Sequence, residues 1–242
     1  MQDVRGETAR LWLFDIDGTL VAPSDDQFHA WVATFREVFG LETSAAAITA
    51  HLGKTFAEIV GAVARAHARP DPSSRLPEAL ATYTRHVRNG LASRPGRLLP
   101  GARELLGFLK AHGNVVGVVT GNFPEEGEPK LVGVGLRWLL DFVVYADLAT
   151  PARDSLVRQA LVAARSLGFQ GDFAETVVVG DSVYDIAGAR CTGAVAIAVC
   201  TGLTPPHALT AARPDLLVPD LAALLTTLRQ TGARWIPSAR RG

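Results

Sequence analysis

The 242-residue sequence has little cysteine and no excess of either charge. Its two cysteines, Cys191 and Cys200, form no CxxC pair, which argues against a structural zinc site and against a disulfide framework. There are 24 basic and 24 acidic residues, so the molecule as a whole has no field that would attract nucleic acid or an anionic membrane. We therefore expect neither as a partner, and the partner must be inferred from a local site.

The sequence also lacks long apolar runs. Residues 1–7 are charged where a signal peptide needs an apolar stretch, and no run is long enough to cross a bilayer. These two observations predict a cytoplasmic protein. A chain of this length can bury a sizeable core without help from a disulfide or a metal ion.

Short apolar runs that alternate with helical patterns make up most of the chain. The runs predict strands covered on both faces, at 11–14, 115–119, 142–145, 177–179 and 194–199. The helical patterns lie at 101–112, 152–167, 183–192 and 220–231. This alternation predicts an α/β fold, with a doubly wound, Rossmann-like parallel sheet that has helices on both sides.

Segment 22–96 breaks that alternation. It holds no convincing strand and has helical patterns instead, at 26–39, 44–51, 55–68 and 76–91. Turn-forming residues lie at both of its borders. We therefore predict an all-helical domain over 22–96, inserted into an α/β core domain made of 1–21 and 97–242.

Two carboxylates follow the first predicted strand, in the run Asp15-Ile16-Asp17-Gly18-Thr19-Leu20. Alternate residues of a strand point to the same side, so we expect Asp15 and Asp17 to face one pocket at the carboxyl edge of the sheet. Carboxylates so close together need a cation or hydrogen bonds to offset their repulsion. Taken alone, the run is equally well explained as an ordinary strand-to-turn exit.

Two further predicted strands end in polar residues. Thr120, Gly121 and Asn122 offer a hydroxyl, a backbone N–H and an amide to an anionic oxygen. Asp181 ends a later strand, and Asp185 lies one helical turn beyond it, on the same side of a helix that starts there. Each motif alone has a turn or helix-cap explanation. Together, the carboxylates, the hydroxyl and the amides match a hard divalent ion with a phosphate held against it.

These motifs, in this order, resemble those of the haloacid dehalogenase superfamily of phosphotransferases. The shared features are Asp15-x-Asp17-Gly18-Thr19-Leu20, Thr120 at a strand end, Gly180-Asp181-x-x-x-Asp185, and a helical insert like the mobile cap of that family. The Thr-Gly-Asn form of the second motif is similar to the phosphoglycolate-phosphatase-like branch. The resemblance covers essentially the whole chain, and it implies a Mg²⁺-dependent phosphatase that hydrolyses a small phosphorylated metabolite.

The resemblance implies roles for the four carboxylates. Asp15 would be the nucleophile that forms an aspartyl-phosphate, and Asp17 would protonate the leaving oxygen and then activate water. Mg²⁺ would be bound by the Asp15 carboxylate, the Asp17 backbone carbonyl and Asp181, with Asp185 bound directly or through water. Because the dehalogenases of the superfamily lack the second motif aspartate, Asp17 argues against dehalogenation.

The phosphate itself would be bound by the second motif and by a cation. Thr120 would bind a phosphoryl oxygen through its hydroxyl, and Gly121 and Asn122 would add donors. The family pattern also places a cation, usually a lysine, between the second and last motifs. Lys130 is the one lysine in that interval, whereas Arg153 lies near the start of the helix before the last motif.

We assign the phosphate-neutralising role to Arg153, because its place along the chain fits the third motif better. Arginine stays charged and can bind phosphate oxygens through two donors. Lys130 is the second choice, and a surface ion pair is the alternative for either residue.

Lys54 is the residue of the insert that we expect to face the substrate, with a solvated lysine at a helix start as the alternative. A phosphonatase of this superfamily would need a cap lysine for a Schiff base, and Lys54 is the only lysine in 22–96. That activity, a phosphomutase, and a non-catalytic scaffold that binds phosphometabolites or a protein partner remain as alternatives. The sequence indicates no oligomeric state.

Overall fold

The computed structural model describes residues 9–51, 53–93, 96–149 and 152–231. The charged start of the chain, residues 1–7, and residues 232–242 of the predicted core domain lie outside this part. So do residues 94–95, at the predicted end of the insert.

The described strands form one parallel sheet. In chain order they are β1 (Leu11–Phe14), β2 (Val115–Thr120), β3 (Phe142–Tyr145), β4 (Thr176–Gly180), β5 (Val195–Val199) and β6 (Leu216–Val218). The order in space is β3-β2-β1-β4-β5-β6, and every neighbouring pair is parallel. The predicted doubly wound α/β fold is confirmed. The sequence did not predict β6, a three-residue strand between prolines.

β1 lies at the centre of the sheet, between β2 and β4, and is buried on both faces. Trp12 and Phe14 belong to the hydrophobic core on one face, and Leu11 and Leu13 belong to the core on the other. A strand whose alternate side chains both meet apolar layers must be apolar throughout. This explains why the sequence runs Leu-Trp-Leu-Phe immediately before its first acidic motif.

The helices around the sheet complete these two layers. They are α5 (Ala102–Ala111), α6 (Pro124–Gly133), α7 (Arg153–Ser166), α8 (Val183–Thr192), α9 (Pro206–Ala211) and α10 (Leu221–Thr231). The helical patterns of the sequence did not include α6, because two prolines and two glycines obscure its pattern. It did not predict the short helix α9.

The predicted insert is helical, as expected. It contains α1 (Asp25–Phe39), α2 (Ala45–Thr49), α3 (Phe56–Ala66) and α4 (Leu76–Ser93). These helices share a hydrophobic core of their own, in which the Trp31 ring centroid lies 4.8 Å from that of Phe56 and 4.5 Å from that of Tyr83. Phe123, from the loop before α6, meets the edge of this core at 5.4 Å from Phe56. The domain boundaries at 22 and 96 remain a prediction.

The chain leaves the sheet for these helices and returns along a short antiparallel ribbon. Val21 forms a bridge with Leu98, and the Ala22 N–H donates to the Arg97 carbonyl at 2.8 Å. On the other side of the bridge, the Leu99 N–H donates to the Leu20 carbonyl at 3.0 Å. The ribbon therefore ties the outgoing and returning segments together directly after the acidic loop that follows β1.

No helix in the described ranges combines the length and the apolar character that a bilayer-spanning segment needs. The longest of them, α4, has 18 residues and is polar on one side.

Replacement of Leu106 in α5 by alanine tests the core that supports β1. Leu106 is 0% exposed, so Leu106→Ala is expected to lower the free energy of unfolding by about 2–5 kcal/mol through lost burial and a residual cavity. Leu167 at the end of α7 is 56% exposed, and Leu167→Ala is expected to change the free energy by less than about 0.5 kcal/mol. Denaturant unfolding measures both, and equal losses would contradict the assignment of this core.

Candidate active site

The polar residues that end three strands lie together because β1, β2 and β4 are neighbours in the middle of the sheet. Asp15 follows β1, Thr120 ends β2 and Asp181 follows β4. All three are buried, and all three line the same cavity. The sheet order thus brings together motifs that lie far apart in the sequence, at positions 15, 120 and 181.

Asp15, Asp181 and Asp185 form an acidic cluster. One carboxylate oxygen from each lies within 4.8 Å of the others. Burial is the largest cause that raises the pKa of Asp15 to about 7, against the lowering effect of Arg153 and with a further rise from Asp185. Burial and then repulsion by Asp15 raise the pKa of Asp181 well above its ordinary value. Crowded carboxylate oxygens of this kind fit a hard divalent cation such as Mg²⁺.

Asp185 is held in a fixed orientation. Its Oδ2 accepts hydrogen bonds from the Ser182 backbone N–H at 3.1 Å and from Ser182 Oγ at 2.6 Å, in a capping box that begins α8. Its Oδ1 lies 2.9 Å from Arg153 Nη2. The Asp185 carboxylate therefore caps α8 and also belongs to the acidic cluster.

Arg153 reaches the acidic cluster from the start of α7. Its Nη2 donates to Asp15 Oδ2 at 3.0 Å as well as facing Asp185. Its Nε and Nη1 are buried and have no hydrogen-bond partner among the residues described. Nη1 lies beside Gly121, where a Cβ would be 3.8 Å from it. A buried guanidinium with unused donors beside a cavity is suited to bind an anion.

Lys130 lies elsewhere in the site and contacts different carboxylates. From the last turn of α6, its Nζ donates to both oxygens of Asp17 at 2.8 Å and to Glu126 Oε1 at 2.7 Å. Asn122 Nδ2 also donates to Asp17 Oδ2, at 2.7 Å. The Asp17 side chain is not part of the acidic cluster, and the expected metal contact through its backbone carbonyl remains a prediction.

The second motif lines the cavity with all of its predicted residues. The Thr120 hydroxyl accepts a hydrogen bond from the Asn122 backbone N–H at 3.2 Å, so its own proton is available to a ligand. The Asn122 amide is turned towards Asp17. Of the donors expected for a phosphate, Thr120 and Gly121 are therefore better placed than the Asn122 side chain.

Several glycines make room for the charged side chains, and Gly18 and Gly188 are two of them. Gly18 has φ +77°, and a Cβ there would lie 2.5 Å from Asp181 Oδ2. In α8, a Cβ at Gly188 would lie 2.9 Å from Arg153 Cγ. A side chain at either position would displace a member of the site, so glycine is required there for close approach.

A cavity of about 420 Å³ lies between these motifs and the helices of the predicted insert. Lys54 lines it, and its Nζ lies 3.2 Å from His51 Nδ1, while its contact with a substrate remains a prediction. Gln27, Trp31 and Tyr83 line the same side. The cavity is therefore bounded by the acidic motifs on one side and by polar and aromatic residues of the insert on the other.

Sequence reasoning missed Glu126 and its partners Gln27 and Tyr83. Glu126 accepts hydrogen bonds from Gln27 Nε2 at 2.9 Å and from Tyr83 Oη at 3.1 Å. The spacing of Glu126 and Lys130, one helical turn apart, was a signal that could have identified that pair. Nothing in the sequence indicates that α1 and α4 supply the other two residues, because these contacts depend on how the helices pack.

Comparison with known proteins identifies the family. The sequence model of the haloacid dehalogenase-like hydrolases matches residues 9–193, which span the acidic motifs and the helical insert. The chain belongs to the haloacid dehalogenase-like hydrolases. The family indicated by the motif order is confirmed, and with it the assignment as a hydrolase.

Relatives of this haloacid dehalogenase-like hydrolase carry phosphatase names. It is 30% identical over 209 residues to "Probable phosphatase IndB" of Dickeya dadantii, a match that covers 86% of this chain and 88% of that protein. It is 29% identical over 221 residues to a phosphoglycolate phosphatase of Thiobacillus denitrificans, covering 89% and 94% of the two chains. The solved structure of a hydrolase from Pseudomonas syringae has the same fold, with a TM-score of 0.78, 19% identity, and 93% and 99% of the two chains covered.

Replacement of Gly188 by alanine tests the packing of Arg153 in this hydrolase. Gly188→Ala is expected to lower the free energy of unfolding by about 1–3 kcal/mol, because the new methyl group overlaps the Arg153 stem. Gly107 in α5 is the matched control, since a Cβ there meets nothing within 4 Å. Gly107→Ala is expected to stabilise the protein by about 0.4–1 kcal/mol. Denaturant unfolding would contradict this account if both substitutions stabilised the protein.

Proposed function

We propose that this hydrolase is a Mg²⁺-dependent phosphatase that acts on a small phosphomonoester through an aspartyl-phosphate. The observation that carries the proposal is the pair of buried donors on Arg153, Nε and Nη1, that have no partner among the described residues, on a side chain that also binds Asp15. These donors lie where an anionic oxygen would be bound beside a carboxylate nucleophile. The names of the relatives support the same class of reaction.

The acidic cluster would hold the metal ion. Asp15 and Asp181, with Asp185 beside them, supply the oxygen ligands, and Mg²⁺ when bound would neutralise charge on both the carboxylates and the phosphate. Thr19 Oγ1 donates to Asp181 Oδ1 at 3.3 Å, and Ser182 fixes Asp185, so the ligands are already oriented.

The chemical steps are carried by two aspartates. An Asp15 carboxylate oxygen attacks phosphorus and forms an acyl phosphate bond, while the bond from phosphorus to the leaving oxygen breaks. Asp17 gives its proton to that leaving oxygen and then takes a proton from the water that hydrolyses the aspartyl-phosphate. Asp15 is thereby regenerated and inorganic phosphate is released.

The remaining residues bind the phosphate and enclose the substrate. Arg153 binds a phosphoryl oxygen through Nη1, and Thr120 and the Gly121 N–H bind others. Helices α1–α4 form the cap domain over 22–96, and Lys54 contacts the part of the substrate that leaves. The substrate is a small phosphorylated metabolite in the cytoplasm.

Loss of the nucleophile or of the metal tests the mechanism directly. Hydrolysis of 4-nitrophenyl phosphate in the presence of Mg²⁺ is expected to fall by roughly 10³-fold or more in Asp15→Asn, because the attacking oxygen is lost. A chelator is expected to abolish the wild-type activity, and excess Mg²⁺ to restore it. Activity that persists in both cases would overturn the nucleophile and metal assignments.

Arg153→Ala tests the phosphate-binding cation. We expect kcat/KM for 4-nitrophenyl phosphate to fall by roughly 10²–10³-fold, because charge that develops on the phosphoryl oxygens loses its donors. Arg158 lies on the same helix, is 54% exposed and pairs with Asp154, so Arg158→Ala is the control and is expected to keep wild-type kinetics. If Lys130→Ala abolished turnover while Arg153→Ala did not, the two cations would have to exchange roles.

A further inference from the structure

The Asp17 carboxylate accepts hydrogen bonds from two neighbouring side chains. Lys130 Nζ bonds both of its carboxylate oxygens, and Asn122 Nδ2 bonds one of them. The Asp17 side chain is 21% exposed and lines the cavity, although both of its oxygens accept hydrogen bonds from the protein. Its orientation is therefore set by these two neighbours and not by solvent.

Lys130 has no donor left for a substrate. An ammonium group has three protons, and Nζ makes three contacts, two to Asp17 and one to Glu126. The Lys130 and Glu126 side chains are each 3% exposed. A buried ion pair of this kind is strongly disfavoured if one partner is removed, because the other charge is left without compensation. Lys130 thus binds Asp17, whereas Arg153 binds Asp15.

Glu126 connects this arrangement to the helical insert. Gln27 Nε2, from α1, donates to Oε1 at 2.9 Å, and Tyr83 Oη, from α4, donates to Oε2 at 3.1 Å. The Tyr83 ring is anchored in the core of the insert, 4.5 Å from the Trp31 ring. Every oxygen of the Glu126 carboxylate is thereby occupied by a protein donor, and two of its three donors belong to the insert.

From these contacts we infer that Lys130 and Glu126 are positioning residues for Asp17, and that Gln27 and Tyr83 hold Glu126 in place from the insert. The inference rests on the proposed function, in which Asp17 protonates the leaving oxygen. A general acid must lie within hydrogen-bond reach of that oxygen, so a loosened Asp17 transfers its proton less efficiently. The Glu126 carboxylate acts through Lys130 and touches no reacting atom.

The test compares two aryl phosphates that differ in how much they need an acid. The leaving group of phenyl phosphate needs a proton, whereas the more acidic leaving group of 2,4-dinitrophenyl phosphate departs without one. Glu126→Gln keeps the size of the side chain but removes its charge. We expect kcat/KM to fall about 10-fold for phenyl phosphate and less than about 2-fold for 2,4-dinitrophenyl phosphate, since general acid catalysis contributes roughly 10²–10⁴-fold.

One further variant keeps the test decisive if Glu126→Gln folds poorly, and another serves as the control. Tyr83→Phe removes one hydrogen bond and keeps the ring, and it is expected to show the same leaving-group dependence with a smaller loss. Glu125→Gln is the matched control, because Glu125 is the exposed neighbour on the same helix. It is expected to leave both values of kcat/KM unchanged.

A double-mutant cycle shows whether Glu126 acts through Asp17. In the Asp17→Asn background, Glu126→Gln is expected to cause no further loss with phenyl phosphate, because the acid it positions is gone. Equal losses for the two substrates, or additive losses in the cycle, would show a merely structural role and overturn the inference. In that case Asp15→Asn would still be inactive and the proposed function would stand. A wild-type protein that hydrolysed neither substrate would overturn both.

Discussion

The structure depends on the compensation of buried negative charge at one edge of the sheet. The fold places Asp15, Asp181 and Asp185 close together, and burial together with repulsion between carboxylates raises the pKa of Asp15 and of Asp181. Arg153 offsets part of this charge, and the oxygens of the acidic cluster still fit a divalent cation. The surrounding hydrogen bonds from Thr19 and Ser182 orient the carboxylates without neutralising them.

Arg153 and Lys130 contact different carboxylates, and the chemistry of the two cations explains the difference. The planar guanidinium of Arg153 bonds Asp15 through Nη2, while its Nε and Nη1 have no hydrogen-bond partner in the described part of the chain. The ammonium of Lys130 is a compact point of charge, and its three protons are fully used between Asp17 and Glu126. All three protons of the Lys130 ammonium group are thus used within the protein, whereas Arg153 has two donors without a partner among the described residues.

The sequence predicted the parts of the molecule that follow from local patterning. The apolar runs located β1 to β5, and the polar residues after them were expected to lie together, because the ends of neighbouring parallel strands meet at one edge. The assignment of Arg153 over Lys130 followed from position along the chain, and the contact with Asp15 is consistent with it. The network around Glu126 was not predictable, since it joins α1, α4 and α6 through tertiary packing. The strand β6 was too short, and α6 too rich in proline and glycine, for their patterns to be visible.

The ribbon formed by Val21 and Leu98 has a consequence for how enzymes of this architecture can diversify. Both connections between sheet and helices pass through one hydrogen-bonded pair of segments, so the helical part is joined to the core at a single place. The register of β1 and β2 is set by residue pairs outside the segment between Ala22 and Arg97, so it does not depend directly on the number or length of the helices there. The contacts of Gln27 and Tyr83 with Glu126 limit changes in that segment, because a substituted set of helices must again supply partners for this carboxylate.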